Sequence, residues 1–171
     1  VKKLGMKRGL FFSLFTGLIF LLLFVPFLNN VLITNFLSSI NLYFQKFEFN
    51  ASLYYVVREL GYLIFHYNII GIAGILLSVV TFVLILKLSL WKRVAFFDAA
   101  LLTLSIYFSL ATTVHPWYLC SLVALSIFTN FRYAILWSAV VVLSYHLYAS
   151  QPFQENLWLV ALEYGCVFGL M

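Results

Sequence analysis

Long apolar runs separated by short polar interruptions divide the chain into segments of helix length. Six runs stand out: residues 10–28, 68–86, 94–114, 116–131, 133–149 and 157–171. Each is apolar all round, as a helix is when it sits in lipid or in a bundle core. Residues 29–67 form a segment too long for a simple connection between two spans. Within it Asn50 is placed to cap a helix starting at Ala51. On that helix Tyr55, Arg58 and Tyr62 share one face, and Val56, Leu60 and Leu63 another. This pattern predicts an interfacial helix, aromatic and cationic on one side. Pro116 disfavours helix at His115 and can open a new helix itself, so a break falls at residues 112–118. The expected fold is all-α, a polytopic membrane helix bundle. About six transmembrane helices and one interfacial amphipathic helix on the outer face form a single membrane domain.

Composition strengthens that reading. The chain is 65% hydrophobic and 9% charged, against about 25% charged in a soluble domain. Disorder, a secreted disulfide scaffold and a nucleic-acid partner are thereby set aside, and the partner is the lipid bilayer. The net charge of +5 reports orientation. With the N-terminus cytoplasmic, eight of the ten basic residues (Lys2, Lys3, Lys7, Arg8, Lys87, Lys92, Arg93 and Arg132) lie inside. Lys46 and Arg58 lie outside, as the positive-inside rule requires. Trp91 and Trp137 fall near the inner boundaries, and Trp117 and Trp158 near the outer ones. The first apolar run lacks a small-residue cleavage site and reads as a retained span. A start at Val1 and an end inside an apolar run lead us to expect part of a longer protein.

Sorted by side, the chemistry collects outside. Four of the five acidic residues (Glu48, Glu59, Glu155 and Glu163) lie in or beside the outer segments, with His66, His115 and His146. Arg58 and Tyr55 form the wall of a site for an anionic headgroup, with Arg58 as phosphate ligand. The competing reading of that helix is a plain membrane anchor. Glu48, between Phe47 and Phe49, is a candidate general base or acid, with Lys46 as an adjacent partner. Asn50-Ala51-Ser52 also matches the N-glycosylation sequon. His115, Trp117 and Tyr118 combine imidazole with aromatic faces, suited to a sugar or lipid headgroup, although Trp and Tyr alone suit an interfacial belt. Glu155 and Asn156 fit a helix start. Glu163 lies inside a span, where a carboxylate is costly unless paired; Arg58, His146 and His115 are its expected partners. Cys120 and Cys166 read as packing residues, and Gly71 and Gly74 as points of close helix approach. No metal-ligand spacing or nucleotide motif is present, and a divalent cation is left open as cofactor.

Three strings, in order, resemble bacterial multi-span glycosyltransferases. They are Leu42-Tyr43-Phe44-Gln45-Lys46-Phe47-Glu48-Phe49-Asn50-Ala51-Ser52-Leu53-Tyr54-Tyr55 with Arg58-Glu59, then Thr113-Val114-His115-Pro116-Trp117-Tyr118, and Glu155-Asn156-Leu157-Trp158-Leu159-Val160-Ala161-Leu162-Glu163-Tyr164. They are similar to the C-terminal half of mannosyltransferase-like proteins of the GT-C superfamily, near glycosyltransferase family 87. The resemblance implies a polyprenyl-phosphate-sugar donor, a glycan or lipid acceptor, and inverting transfer on the outer side of a bacterial cytoplasmic membrane. It implies phosphate or sugar contacts at Arg58 and His115. The superfamily's catalytic acid lies in its first outer loop, and no acidic pair precedes Glu48 here. The rival expectations are a transporter or flippase component, and a non-catalytic membrane subunit.

Overall fold

A computed structural model describes residues 5–45, 47–91, 94–149, 151 and 153–171, with backbone alone at residues 6 and 43–45. Lys2, Lys3, Lys46, Lys92 and Arg93 lie outside the described residues. The fold is all-α, with eight α-helices and no strand among the described residues. It divides into two compact units, Val1–Asn41 and Leu42–Met171.

In the first unit, α1 (Met6–Phe24) runs into a 3-10 turn, Val25–Phe27. There Pro26, lacking an N–H and fixed in φ, prevents continuation of the α-helix. The unit also holds most of α2 (Asn30–Gln45), which the sequence pattern does not announce. Asn30, Asn35, Ser38, Ser39 and Asn41 break up its apolar run. Local bonds tie these polar groups to the helix. The Asn29 side chain accepts from Leu32 N at 2.7 Å, and the Ser39 hydroxyl donates to Asn35 O at 2.8 Å.

The second unit holds α3 (Leu53–Phe65), α4 (Ile70–Leu90), α5 (Phe96–Leu110), α6 (Leu119–Ser126), α7 (Tyr133–Val140) and α8 (Leu157–Leu170). Consecutive helices are neighbours from α3 to α8, and α3 also touches α5. Two 3-10 segments intervene. Pro116–Tyr118 leads into α6, with Pro116 opening it as expected, and Val141–Ala149 continues α7. Tyr54, Leu101, Leu119, Leu122, Tyr133 and Trp137 form a core without solvent exposure. Trp137 is therefore no rim residue. The Tyr133 and Ser105 hydroxyls lie 2.6 Å apart, which sets the start of α7 beside a point two thirds of the way along α5. That offset carries Trp137 in among Phe108 and Tyr164.

Two helices are long and apolar enough to cross a membrane, Lys7–Phe27 and Ile70–Leu90. The other apolar segments, Phe96–Leu110, Pro116–Ser126, Tyr133–Ala149 and Leu157–Leu170, are shorter. Helix α3 carries Val56, Leu60 and Leu63 exposed on one side, and buries Tyr54, Tyr55 and Gly61. It begins at Leu53, and Asn50 is not its cap: Asn50 has a φ of 46° and lies outside the helix. His66 closes α3 in the left-handed region at φ 63°. Of the two glycines expected at close helix approach, Gly74 is buried in α4 and Gly71 is not, and a third, Gly61, is crowded. Gly71 faces open space, whereas a Cβ on Gly61 would lie 2.6 Å from Ile69 Cγ1. Cys120 and Cys166 are free and exposed, so neither fills the core.

Gly61→Leu should therefore force α3 away from the connection to α4. A loss of about 1–3 kcal/mol is expected from such overpacking, readable as a lower thermal midpoint in detergent, while Gly71→Leu should leave the midpoint nearly unchanged.

Candidate functional site

The site is organised by a short extended segment, residues 47–49, that turns at Asn50. Phe49 N donates to Thr112 O at 3.1 Å, and Val114 N donates to Phe49 O at 2.8 Å. These two bonds form one isolated parallel bridge with Thr113, whose hydroxyl also donates to Phe47 O at 3.2 Å. In an extended chain, alternate side chains point to opposite sides. Accordingly Phe47 and Phe49 turn toward His115, and Glu48 turns toward Arg58. The segment is a partition between two chemistries.

On the charged side, Arg58 Nη1 donates to Glu48 Oε1 at 2.9 Å, and Nη2 donates to Glu59 Oε1 at 2.9 Å. The guanidinium also lies 4.4 Å above the Tyr55 ring. Burial works against its charge, but Glu59 and Glu48 outweigh burial and raise its pKa. The Tyr54 hydroxyl donates to Glu48 Oε2 at 2.6 Å and sits 3.0 Å from Asn68 Oδ1. Asn68 Oδ1 also accepts from Ile70 N at 3.0 Å, anchoring the start of α4 to the cluster. Burial, then Glu48, raise the Tyr54 pKa, which keeps the phenol a donor.

Asn50 links this cluster to α7 and α8. Its backbone N–H donates to Glu155 Oε1 at 2.7 Å, and its Nδ2 donates to Glu163 Oε1 at 3.1 Å. Its carbonyl accepts from the Tyr164 hydroxyl at 2.8 Å. Tyr55 donates to Glu155 Oε2. Burial raises the Glu155 pKa, against the opposing bonds from Tyr55 and Asn50. Glu163 is fully buried, and its second donor is Trp137 Nε1 at 3.0 Å. Its expected partners Arg58, His115 and His146 are replaced by neutral donors. Arg58 is held by two other carboxylates, His115 lies across the partition, and His146 is exposed. Among the described residues, Glu163 Oε2 and Asn50 Oδ1 are buried without a hydrogen bond. Glu155 does more than begin a helix, since it accepts from two residues, and Asn156 supplies the cap by accepting from Trp158 N at 3.0 Å. The sequon at Asn50 is inaccessible, because its side chain has no exposure and is bonded to Glu163.

On the aromatic side, the His115 ring stacks between Phe49, 4.9 Å away, and Trp117, 4.3 Å away at 7° between planes. Tyr118 meets His115 edge-on at 5.3 Å. Burial lowers the His115 pKa and favours neutral imidazole.

Six of the nine candidate residues (Glu48, Asn50, Tyr55, Arg58, Glu155 and Glu163) thus form one hydrogen-bonded and ion-paired cluster. His115, Trp117 and Tyr118 form the adjoining aromatic group. Tyr54, Asn68, Trp137 and Tyr164 also belong to the cluster and were not foreseen. Of these, Asn68 was detectable, as a polar residue at the mouth of a span. Among the described residues no group of three or more His, Cys, Asp or Glu side chains is arranged to hold a metal ion.

Trp137→Phe keeps the aromatic packing and removes one donor from Glu163. Destabilisation of about 1–3 kcal/mol is expected, measured by chemical unfolding in detergent. Glu155 carries a pH signature, because its folded pKa lies above the ordinary value of 4.5. Its stabilising contribution is complete below that value and is lost as pH rises through the displaced one. Glu155→Gln should therefore flatten the fall in thermal midpoint with rising pH above 4.5; an unchanged slope would exclude Glu155 as its source. No family model, curated protein or solved structure gives a significant match to this chain.

Proposed function

We propose that this chain is the membrane-embedded part of a glycosyltransferase that moves a mannose-like sugar from a polyprenyl-phosphate donor to an extracytoplasmic acceptor. In this reading the six apolar segments enter or cross a bacterial cytoplasmic membrane with the N-terminus inside. The exposed surfaces of α1 and α4 are largely Phe, Leu, Ile and Val, which supports contact with lipid. The excess of Lys and Arg on one side supports the orientation.

One observation carries the functional reading. Segments far apart in sequence converge so that a carboxylate, a guanidinium and phenols share one connected cluster beside an imidazole. Transfer from a lipid phosphate needs a base at the acceptor hydroxyl and positive charge at the departing phosphate. Glu48 and Arg58 supply that pair. A phosphate that captures Arg58 releases Glu48 to take the hydroxyl proton. The acceptor oxygen then bonds to the anomeric carbon, the bond to the phosphate oxygen breaks, and configuration inverts. A groove of about 410 Å³ between α3 and α8 supports an amphiphilic substrate. Ser52, Tyr55 and Glu59 make it polar at one end, and Val160 and Phe168 make it apolar farther along α8. A cavity of about 180 Å³ beside Ser78, Thr81, Tyr107 and Thr112 favours a second reading, passage of a small polar solute between α4 and α5.

Membranes containing the chain should transfer labelled mannose from polyprenyl-phosphate-mannose to a glycan or lipid acceptor. Glu48→Gln and Arg58→Ala should each lower the rate by about 100-fold or more. Undiminished transfer in both variants would remove the pair from the chemistry, and solute uptake without transfer would favour the second reading.

A further inference from the structure

Glu163 and Asn50 meet with their bonding capacity unevenly used. Glu163 Oε1 accepts twice, from Asn50 Nδ2 at 3.1 Å and from Trp137 Nε1 at 3.0 Å. Glu163 Oε2 and Asn50 Oδ1 have no partner among the described residues, although both side chains are fully buried. The two idle atoms belong to the same carboxyl and the same amide that already share a bond. An ionised carboxylate only accepts, so neither atom could satisfy the other. A carboxylic acid has one oxygen that accepts and one O–H that donates. Its carbonyl matches Oε1, which takes two bonds, and its O–H matches Oε2, with Asn50 Oδ1 as the waiting acceptor. One proton completes the bonding of both side chains, closing a ring in which acid and amide each give and take one hydrogen bond.

The surroundings offer no counter-charge. Among the described residues Glu163 has no ion pair. On α3, Arg58 is held by Glu48 and Glu59, Tyr54 donates to Glu48, and Tyr55 donates to Glu155. On α7, the Tyr133 hydroxyl is bonded to that of Ser105. Tyr145, His146 and Tyr148, on the 3-10 segment packed against α8, are exposed. Tyr164, on α8 itself, donates to Asn50 O. Glu155 is a second acid bonded to the same Asn50, and it provides a contrast. Each of its oxygens accepts one bond, so its pattern is complete without a proton.

We propose that Glu163 is a neutral acid in the folded chain, that its Oε2–H donates to Asn50 Oδ1, and that this pair is a proton-sensitive clasp on the segment carrying Glu48. When the proton leaves for solvent, its electron pair stays on Oε2 and faces the Asn50 carbonyl oxygen, so repulsion opens the ring. Asn50 then loses its fixed orientation, and with it the bonds to Glu155 and Tyr164 that anchor the end of the extended segment. Glu48 sits two residues before Asn50 and relies on that anchor for its place against Arg58. The clasp stands whether or not Glu48 acts as a base in sugar transfer.

Infrared spectroscopy of the purified chain, in a detergent without carbonyl groups, tests the proton directly. At about pH 6, where an ordinary glutamate is ionised, the spectrum should hold the carbonyl band of a protonated carboxyl, shifting in D2O. Glu163→Gln should remove a component of it that Glu155→Gln leaves in place. Glutamine copies the neutral acid, with a carbonyl that accepts and an N–H that donates to Asn50 Oδ1. Keeping a proton that the unfolded chain releases costs stability as pH rises, until the folded chain releases it too. The thermal midpoint of Glu163→Gln should therefore match the wild type at about pH 4 and exceed it increasingly above that, while Glu163→Ala should lie below both. Deuterium exchange at the Phe49 and Asn50 amides, corrected for its intrinsic pH dependence, should quicken about tenfold in the wild type between about pH 6 and about pH 9 and stay level in Glu163→Gln. A wild-type spectrum with no protonated-carboxyl band at about pH 6 would overturn the proposal without recourse to any variant. Identical spectra for the wild type and Glu163→Gln would do so too, as would a Glu163→Gln midpoint as low as that of Glu163→Ala. Exchange that stays level in the wild type while the band disappears would leave a buried acid and remove the clasp.

Discussion

A carboxyl group with no access to solvent must find its hydrogen-bond donors inside the protein. Glu163 finds them on two other parts of the chain, Asn50 and Trp137. Asn50 can reach it because its backbone turns into the left-handed region, which asparagine tolerates better than most residues. The same turn directs its N–H to Glu155 and its carbonyl to Tyr164. One residue therefore joins the extended segment to α8 through two bonds and to Glu155, just before α8, through a third, and the site hangs on that junction. Removing a partner would leave a buried polar group unsatisfied, which costs more than an exposed contact is worth.

From this junction the extended segment acts as a dividing wall. Three residues suffice, because extended backbone alternates its side chains and a single bridge to Thr113 fixes its position. Acid and guanidinium lie on one side, and aromatic rings with an imidazole on the other. Separating them keeps the ion-paired groups and the neutral rings apart although they are neighbours in sequence. A mobile loop carrying the same residues would not keep Glu48 and Phe49 facing opposite ways.

The helical segments of the second unit were legible in the sequence because apolar runs ended by Lys, Pro and Asn are strong local signals. Helix α2 was not, since its asparagines and serines interrupt the run and their bonds to nearby backbone are invisible to a hydropathy pattern. The gathering of the polar residues was anticipated for a general reason: sparse charge in an apolar chain tends to congregate. Its pairings were not. Glu163 was assigned cations and found an amide and an indole, because which donor is nearest depends on helix register. Trp137 illustrates the same limit. Position in a span suggested a membrane rim, but the level at which α7 begins beside α5 carried it into the core.

Helix lengths in the second unit are unequal, with 21 residues in α4 against 15 in its neighbour α5. At 1.5 Å per residue the difference amounts to about 9 Å. A bilayer surrounding both cannot match both hydrophobic lengths at once. It must thin beside α5 or tilt α4, and either adjustment costs fractions of a kcal/mol per Å. If α5 also meets lipid, the thinning falls at its ends, one of which, Leu110, lies two residues from the bridge that holds the partition.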